Sequence, residues 1–202
     1  MSAPRGNVFL AGVGGQGILL ASEVLAEAFL RSGYDVKKSE VHGMAQRGGA
    51  VTTHLRFGPA VHAPLIEPGT AHLLIAFEKL EALRFLHYLA PGGTVVANTQ
   101  EIPPAPVSSG RERYPEQIEE RLRETAARLH MVDALGAALA LREARAVNMV
   151  MAGAASHFLP LPEAAYLDAL AVRLPARYVD INARAFRAGR DLVALSGDGR
   201  PA

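Results

Sequence analysis

The sequence has no cysteine among its 202 residues. This absence excludes disulfide bonds, a thiolate nucleophile and any iron–sulfur cluster held by cysteines of this chain. If the protein takes part in one-electron chemistry, the electron carrier must therefore belong to a partner.

The sequence also has no charge imbalance and no long apolar run. Its 21 Lys and Arg nearly balance its 20 Asp and Glu, giving a net charge of +1, so bulk electrostatics predict no nucleic-acid or membrane binding. No stretch approaches the roughly 18 apolar residues of a membrane span. The first residues do not have the order of regions that a signal peptide needs, and we expect a cytoplasmic protein.

The seven histidines do not follow a metal-binding pattern. No His-x₃-His pair and no cysteine cluster occurs, so we expect no metal on this chain. The charged residues Glu78, Lys79 and Glu81 begin a predicted helix, where we expect them to complement the helix dipole and to be surface charges.

Half of the residues are hydrophobic, which predicts one globular domain over residues 1–202, with 190–202 as a flexible tail. Apolar strand candidates alternate with helical segments through the first two thirds of the chain. This order predicts an α/β fold, a Rossmann-like three-layer sandwich with a mainly parallel sheet. The Gly49–His62 region alternates in polarity and predicts antiparallel edge strands, and a helix from Glu78 is expected to end at Pro91-Gly92-Gly93.

A glycine-rich loop follows the first predicted strand, in the stretch LAGVGGQGILLASEVL. A strand, the spacing Gly-x-Gly-x-x-Gly and then a helix form the context of a dinucleotide-binding loop. Glycines allow positive φ and close approach, and a helix N-terminus offers N–H groups to a phosphate. The candidate ligand-binding residues are Gly12, Gly14, Gly15, Gln16 and Gly17.

Two other interpretations of this loop stay open. The first is a free-standing NAD(P)-binding oxidoreductase, which needs an acidic residue about 20 positions further on. Glu40 is the candidate, but it lies near a predicted loop and not clearly at a strand tip. The second is a scaffold or interaction protein in which the glycines only allow tight packing of strand against helix.

A second glycine loop lies in the stretch SEVHGMAQRGGAVTTHLRFG, between two predicted strands. An arginine beside two glycines suits the capture of an anion, and a histidine there could transfer a proton. A structural turn with solvated side chains is the alternative. The candidate residues are His42, Gln46, Arg47, Gly48 and Gly49.

Together, the two glycine motifs resemble the small subunit of indolepyruvate:ferredoxin oxidoreductases and, more broadly, the gamma subunits or domains of 2-oxoacid:ferredoxin oxidoreductases. The later stretches NMVMAGAAS and VDINARAFRAG resemble the same family. The resemblance therefore covers most of the chain, and two separated motifs in the right order make it specific.

The resemblance implies an enzyme that cleaves a 2-oxoacid oxidatively and transfers the acyl group to coenzyme A. Indolepyruvate, coenzyme A and oxidised ferredoxin would give indoleacetyl-CoA, CO₂ and reduced ferredoxin. A large partner subunit would carry thiamine diphosphate, Mg²⁺ and the iron–sulfur clusters, and would pass electrons to ferredoxin. This chain would complete the assembly and would be inactive alone.

Both loops have candidate roles in such an assembly. We expect the first loop to face the phosphates of coenzyme A, because a helix N-terminus attracts anions and the assembly needs an acyl acceptor. His42 and Arg47 are the catalytic candidates, while Gln46, Gly48, Gly49 and Asn148 are candidates for the subunit interface or for substrate positioning. Asn148 is expected to contact the glycine loop or to cap a helix locally. An isolated chain would expose an apolar contact surface, so we expect it to form a homodimer or to aggregate.

Overall fold

The computed structural model describes residues 4–42, 49–126 and 128–195. The strands found there are β1 (Gly6–Val13), β2 (Asp35–His42), β3 (Ala50–Gly58), β4 (Ala71–Ala76), β5 (Leu89–Asn98) and β6 (Arg128–Val132). The helices are α1 (Ile18–Arg31), α2 (Lys79–Arg84), α3 (Ala105–Ser108), α4 (Ile118–Thr125), α5 (Ala134–Ala140), α6 (Val147–Ser156), α7 (Glu163–Arg173) and α8 (Ala176–Leu195). None of these helices has the combination of length and hydrophobicity that crossing a membrane requires.

The strands form one mixed sheet in the order β2-β3-β1-β4-β5-β6. Strand β1 is parallel to β4, β4 to β5 and β5 to β6, whereas β3 is antiparallel to both β1 and β2. Among the described strands, β3 alone is therefore reversed, and the other five end at the same edge. We call this the carboxyl edge. The predicted α/β fold with a mainly parallel sheet and antiparallel strands on one side is confirmed.

The sheet has a buried core on each face. Val8 and Leu10 of β1 pack into the layer that contains residues of α1, α6, α7 and α8. Phe9 and Ala11 of the same strand pack into the layer that contains residues of α2 and α4. Because side chains alternate along a strand, a strand covered on both faces must be apolar throughout. The predicted three-layer arrangement follows from this pattern.

Three expectations about local structure are wrong. The helix after β4 ends at Arg84, and Pro91-Gly92-Gly93 lies within β5, because Leu89 already pairs with Ala71 in the sheet. Residues 59–70 connect β3 to β4 without a strand. Helix α8 continues to Leu195, with Val193 buried, so residues 190–195 do not belong to a flexible tail. Residues 196–202 lie outside the described part of the chain.

Helices α6 and α8 cross at very close range. A β-carbon on Gly153 would overlap the carbonyl oxygen of Phe186, and one on Gly189 would overlap that of Val150. The two glycines belong to the two C-terminal stretches that carry the family resemblance. They thus allow the backbones of α6 and α8 to touch beneath the sheet.

A candidate ligand site at the carboxyl edge

The glycine loop leaves the carboxyl end of β1 and leads directly into α1. Gly15 has a φ of 103° and Gly17 a φ of 76°, both in the left-handed region that favours glycine. Gly17 precedes the first residue of α1, and no side chain caps this helix through a hydrogen bond. The N–H groups of the first turn of α1 therefore lack a side-chain acceptor in the described part of the chain.

The loop lies where the connections of neighbouring strands diverge. Helix α1 follows β1 on one face of the sheet, and α2 follows the adjacent strand β4 on the other. In open α/β sheets, ligands bind in the crevice that such a divergence leaves at the carboxyl ends of the strands. Just before the loop, β1 is joined to the residue after β4, because the Phe77 N–H donates to the Ala11 carbonyl at 2.8 Å.

Gln16 folds beneath the loop and joins β1 to the end of β4. Its Oε1 accepts a hydrogen bond from the Val13 N–H at 2.8 Å, and its Nε2 donates to the Phe77 carbonyl at 2.7 Å. Nε2 also lies 3.2 Å from Oε1 of Gln100. A β-carbon on Gly12 would approach Gln16 Oε1 to 2.8 Å. Because Gly12 has no side chain, it leaves room for Gln16. The hydrogen bonds of Gln16 to Val13 and Phe77 then fix the loop at the ends of β1 and β4.

Asn148 reaches the same loop from the first turn of α6. The side chain is 5% exposed, and its Nδ2 donates to the Gly17 carbonyl at 3.4 Å. Its Oδ1 also accepts a hydrogen bond from the Met149 N–H at 2.9 Å. The contact with the glycine loop is therefore present, whereas Asn148 is not the N-cap of α6, which is Ala146 without a side-chain cap. Helices α1 and α6 begin side by side as a result.

A buried amide extends the network beyond the predicted residues. Asn98 is fully buried at the end of β5, where its Nδ2 donates to the Phe77 carbonyl at 3.1 Å. Its Oδ1 accepts from the N–H of Ala134, the first residue of α5, at 3.3 Å. A polar residue at the end of the apolar run TVVANT was the signal in the sequence that could have identified it.

Glu78 and Glu81 are buried, so their prediction as surface charges is wrong. Their predicted place at a helix start is correct, because the Glu78 side chain caps α2 and Glu81 lies in its first turn. Glu78 accepts hydrogen bonds from the N–H groups of Glu81 and Ile102 and from the Tyr114 hydroxyl at 2.6 Å. Burial, followed by this contact with Glu78, raises the pKa of Tyr114 well above its usual range. Burial also raises the pKa of Glu81, against the opposing effect of the nearby Arg84 guanidinium. The Glu78 carboxylate therefore joins the start of α2 to Ile102 and Tyr114, whereas the Glu81 carboxylate pairs with Arg84 of the same helix.

The second glycine loop is only partly described. Gln46, Arg47 and Gly48 lie outside the described residues. His42 is the last residue of β2, and its backbone pairs with that of Val51 in β3. The N–H of Gly14 donates to the carbonyl of Gly49 at 2.9 Å. The second loop therefore starts and ends at the carboxyl edge, and one hydrogen bond joins it to the first.

Glu40 does not occupy the position that a dinucleotide-binding domain requires. It lies within β2, two residues before the strand ends, and its carboxylate is 2.6 Å from Lys38 Nζ. Because β3 lies between β2 and β1, Glu40 is two strand spacings from β1, about 10 Å. A ribose bound above the glycine loop would need an acidic residue on the strand next to β1. The position of β3 therefore argues against the NAD(P) interpretation.

Within residues 4–42, 49–126 and 128–195, no group of three or more His, Asp or Glu side chains could hold a metal ion. The site consists instead of backbone N–H groups, glycines and internally satisfied amides.

A mixed α/β sheet with a glycine loop at the diverging strands β1 and β4 defines a Rossmann-like class of α/β domain. The chain belongs to the pyruvate ferredoxin/flavodoxin oxidoreductase family, which it matches over residues 7–192. It is similar to the indolepyruvate oxidoreductase subunit IorB of Methanothermobacter thermautotrophicus, with 40% identity over 94% of this chain and 98% of the relative. The IorB subunit of Thermococcus kodakarensis is 38% identical over 91% of this chain and 93% of the relative.

Solved structures show the same fold. The gamma subunit of a keto/oxoacid ferredoxin oxidoreductase from Geobacter sulfurreducens superposes with a TM-score of 0.70 at 20% identity, covering 94% of this chain and 99% of that one. The 2-oxoglutarate:ferredoxin oxidoreductase from Magnetococcus marinus, solved with 2-oxoglutarate, coenzyme A and succinyl-CoA bound, has a TM-score of 0.75 at 20% identity. The match covers 98% of this chain and 32% of that one, so the fold there is part of a longer chain.

Proposed function

We propose that this chain is the cluster-free small subunit of an indolepyruvate:ferredoxin oxidoreductase. The proposal is supported by the relatives named for that enzyme, which match at 38–40% identity over more than nine tenths of the chain. The absence of cysteine fits a subunit that relies on a partner for electron transfer. The reaction would convert indolepyruvate, coenzyme A and oxidised ferredoxin to indoleacetyl-CoA, CO₂ and reduced ferredoxin.

In this proposal the glycine loop holds the phosphates of coenzyme A. The observation that carries it is the open, uncapped N-terminus of α1. A β-carbon built on Gly15 meets no atom within 4 Å, so the loop leaves open space there. Gly15 and Gly17 turn the backbone so that first-turn N–H groups can face an anion. The residues present therefore fit a phosphate, and coenzyme A would supply the thiol that accepts the acyl group.

The polar side chains around the loop have positioning roles in this scheme. Gln16 and Asn98 fix the Phe77 carbonyl, and Asn148 fixes Gly17, so the loop keeps its shape before a ligand arrives. A loop that already has its bound conformation loses less conformational entropy when the ligand binds, so the ligand binds more tightly. Side chains that are satisfied internally leave recognition of the phosphate to the backbone.

The second loop is proposed to face the large subunit, which would carry thiamine diphosphate, Mg²⁺ and the iron–sulfur clusters. The bond from Gly14 to Gly49 places the ends of this loop beside the proposed coenzyme A site. There, Arg47 would pair with a carboxylate or phosphate, and His42 would hydrogen-bond to substrate or to the partner's backbone. Gln46, Gly48 and Gly49 would shape the contact in a cytoplasmic complex. Without its partner, the chain would form a homodimer or aggregate.

The first test is a tagged pull-down from the native cell, followed by an assay of the eluate. The assay measures reduction of a viologen dye that depends on both indolepyruvate and coenzyme A. Recovery of a large cysteine-rich partner with this activity is the expected result. Recovery of the chain alone, with bound NAD(H), would overturn the proposal in favour of a free-standing oxidoreductase.

The coenzyme A site is tested separately by NMR on the recovered complex containing ¹⁵N-labelled small subunit. Added coenzyme A should shift the amide signals of residues 14–19 and leave those of Gly33 and Gly69 unchanged. Both control glycines have positive φ but lie outside the loop. An active complex whose loop signals do not respond would contradict the coenzyme A role while leaving the subunit assignment intact.

A further inference from the structure

A cavity lies at the edge of the sheet opposite the glycine loop. It has a volume of about 670 Å³, and its walls include the first residues of β1, Thr94 of β5 and Leu159 after α6. Along β1, Asn7 and Gly14 are separated by roughly 20 Å at the usual strand rise. The cavity is therefore distinct from the proposed coenzyme A site.

All four ionisable side chains that line this cavity are basic. They are Arg5, His72, Arg128 and His157, and no Asp or Glu is among the lining residues. The whole chain is nearly neutral, so this lining is a local departure from its composition. Within the described part of the chain, none of the ion pairs uses Arg5 or Arg128. Two arginines in a concave site attract an anion.

The backbone around the cavity adds hydrogen-bonding groups. The N–H of Asn7 donates to Nδ1 of His72 at 3.1 Å, so a neutral His72 ring carries its proton on Nε2 and offers it as a donor. Residues 90–93 form an irregularity in the pairing of β4 with β5, between the pairs Ala71–Leu89 and Leu73–Thr94, and they are part of the cavity wall. Their backbone groups therefore border the cavity.

Apolar side chains complete the lining. Phe57, Leu73 and Phe158 lie on the cavity wall beside the basic residues. The volume is in the range of small-molecule sites, which combine a mostly apolar wall with a few placed polar groups. We propose that this cavity binds a small organic anion with a ring or other apolar body and a phosphate or carboxylate head. The head meets the two arginines and the body packs on the aromatic wall.

The test uses the full ¹⁵N-labelled chain and phenyl phosphate as the probe, with benzoate, inorganic phosphate and phenol for comparison. Phenyl phosphate should shift the amide signals of Gly92, Gly93 and Thr94. It should bind at least tenfold more tightly than phenol, which has the ring but no phosphate, and than inorganic phosphate, which has no ring. Whichever of phenyl phosphate and benzoate binds more tightly shows whether the site prefers a phosphate or a carboxylate head group.

The double variant Arg5→Gln/Arg128→Gln should weaken this binding at least tenfold. Both arginines are exposed, so the fold is expected to persist, and an unchanged Tm verifies this. Arg123→Gln is the matched control, because Arg123 is an exposed arginine of α4 that does not line the cavity. Equal affinity in wild type and double variant would overturn the proposal. So would phenyl phosphate or benzoate shifts confined to residues 14–19, or no shift at all.

Discussion

The side-chain amide of Asn148 fills the space where a side chain of Gly17 would be. A β-carbon on Gly17 would lie 2.6 Å from Nδ2 of Asn148, far inside van der Waals contact. The two residues are 131 positions apart in the chain, yet they set the joint start of α1 and α6. The glycine loop is therefore constrained by tertiary packing as well as by its own backbone.

Gly17→Ala should lower the free energy of unfolding by about 3 kcal/mol. About 1 kcal/mol comes from a left-handed φ and the rest from overlap with Asn148. Gly33→Ala is the control, because Gly33 also has a positive φ, of 84°, but a β-carbon there meets no atom within 4 Å. It should cost only about 1 kcal/mol. Urea unfolding measures both.

A double-mutant cycle separates the two contributions at Gly17. In an Asn148→Ala background, Gly17→Ala should cost only about 1 kcal/mol, since the amide that it would strike is gone. An equal cost in both backgrounds would show that Asn148 does not constrain the loop.

Gln16→Glu should destabilise the protein at pH 7 by more than about 2 kcal/mol, because an acceptor replaces the Nε2 donor that faces the Phe77 carbonyl. The folded state would hold the pKa of the new carboxyl above its unfolded value. Stability should therefore recover as the pH falls through the raised folded pKa, where the protonated carboxyl can donate, and the recovery should be complete below the unfolded pKa of about 4.3. Gln117→Glu on the exposed surface is the control. A loss that does not depend on pH would contradict the proposed bracing contact.

His54 should make the protein sensitive to mild acid. The ring is 5% exposed, its Nδ1 accepts a hydrogen bond from the Ile66 N–H, and burial lowers its pKa. A lowered folded pKa contributes stability that is present above the unfolded pKa of about 6.5 and is lost as the pH falls towards the folded pKa. Denaturant unfolding between pH 7 and 5 should show this loss.

His54→Asn should flatten that pH dependence, although the variant will be less stable overall because it loses ring packing. The exposed His62 provides the comparison, and His62→Asn should keep the wild-type slope. If both variants retain the slope, another group controls the acid sensitivity.

Gly153→Ala should destabilise the protein by about 3 kcal/mol, because the new methyl group would overlap the Phe186 carbonyl in α8. On an open helix surface the same change would stabilise the protein by about 1 kcal/mol. Packing against α8 and intrinsic helix propensity therefore predict opposite signs for the change in the free energy of unfolding. Thermal unfolding monitored by circular dichroism decides between them. A rise in Tm would mean that α6 and α8 can separate without loss.

Local sequence patterns predicted the parts of the fold that depend on neighbouring residues. Ile18, Ser22, Leu25 and Phe29 recur at helical spacing, and all four are buried in α1. Sequence could not predict the roles of Gln16 and Glu78, because each binds groups more than twenty residues away. In the sequence, Gln16 is a candidate ligand-binding residue and Glu78 a charge at a helix start, and their internal contacts form only when the strands come together. The family resemblance could be recognised from the sequence because each motif is a short continuous stretch. The contacts that these motifs make in the fold join residues that are distant in the sequence.

The reversed strand β3 has a consequence for how the protein acquires its site. His42 pairs with Val51, which is close to it in the sequence, whereas Val13 pairs with Ala50, which is distant from it in the sequence. Closing a long loop costs more entropy than closing a short one, so we expect the β2–β3 hairpin to form before it docks onto β1. The two glycine loops become neighbours only at that docking step. An anion bound across them would therefore favour the docked chain and slow its unfolding.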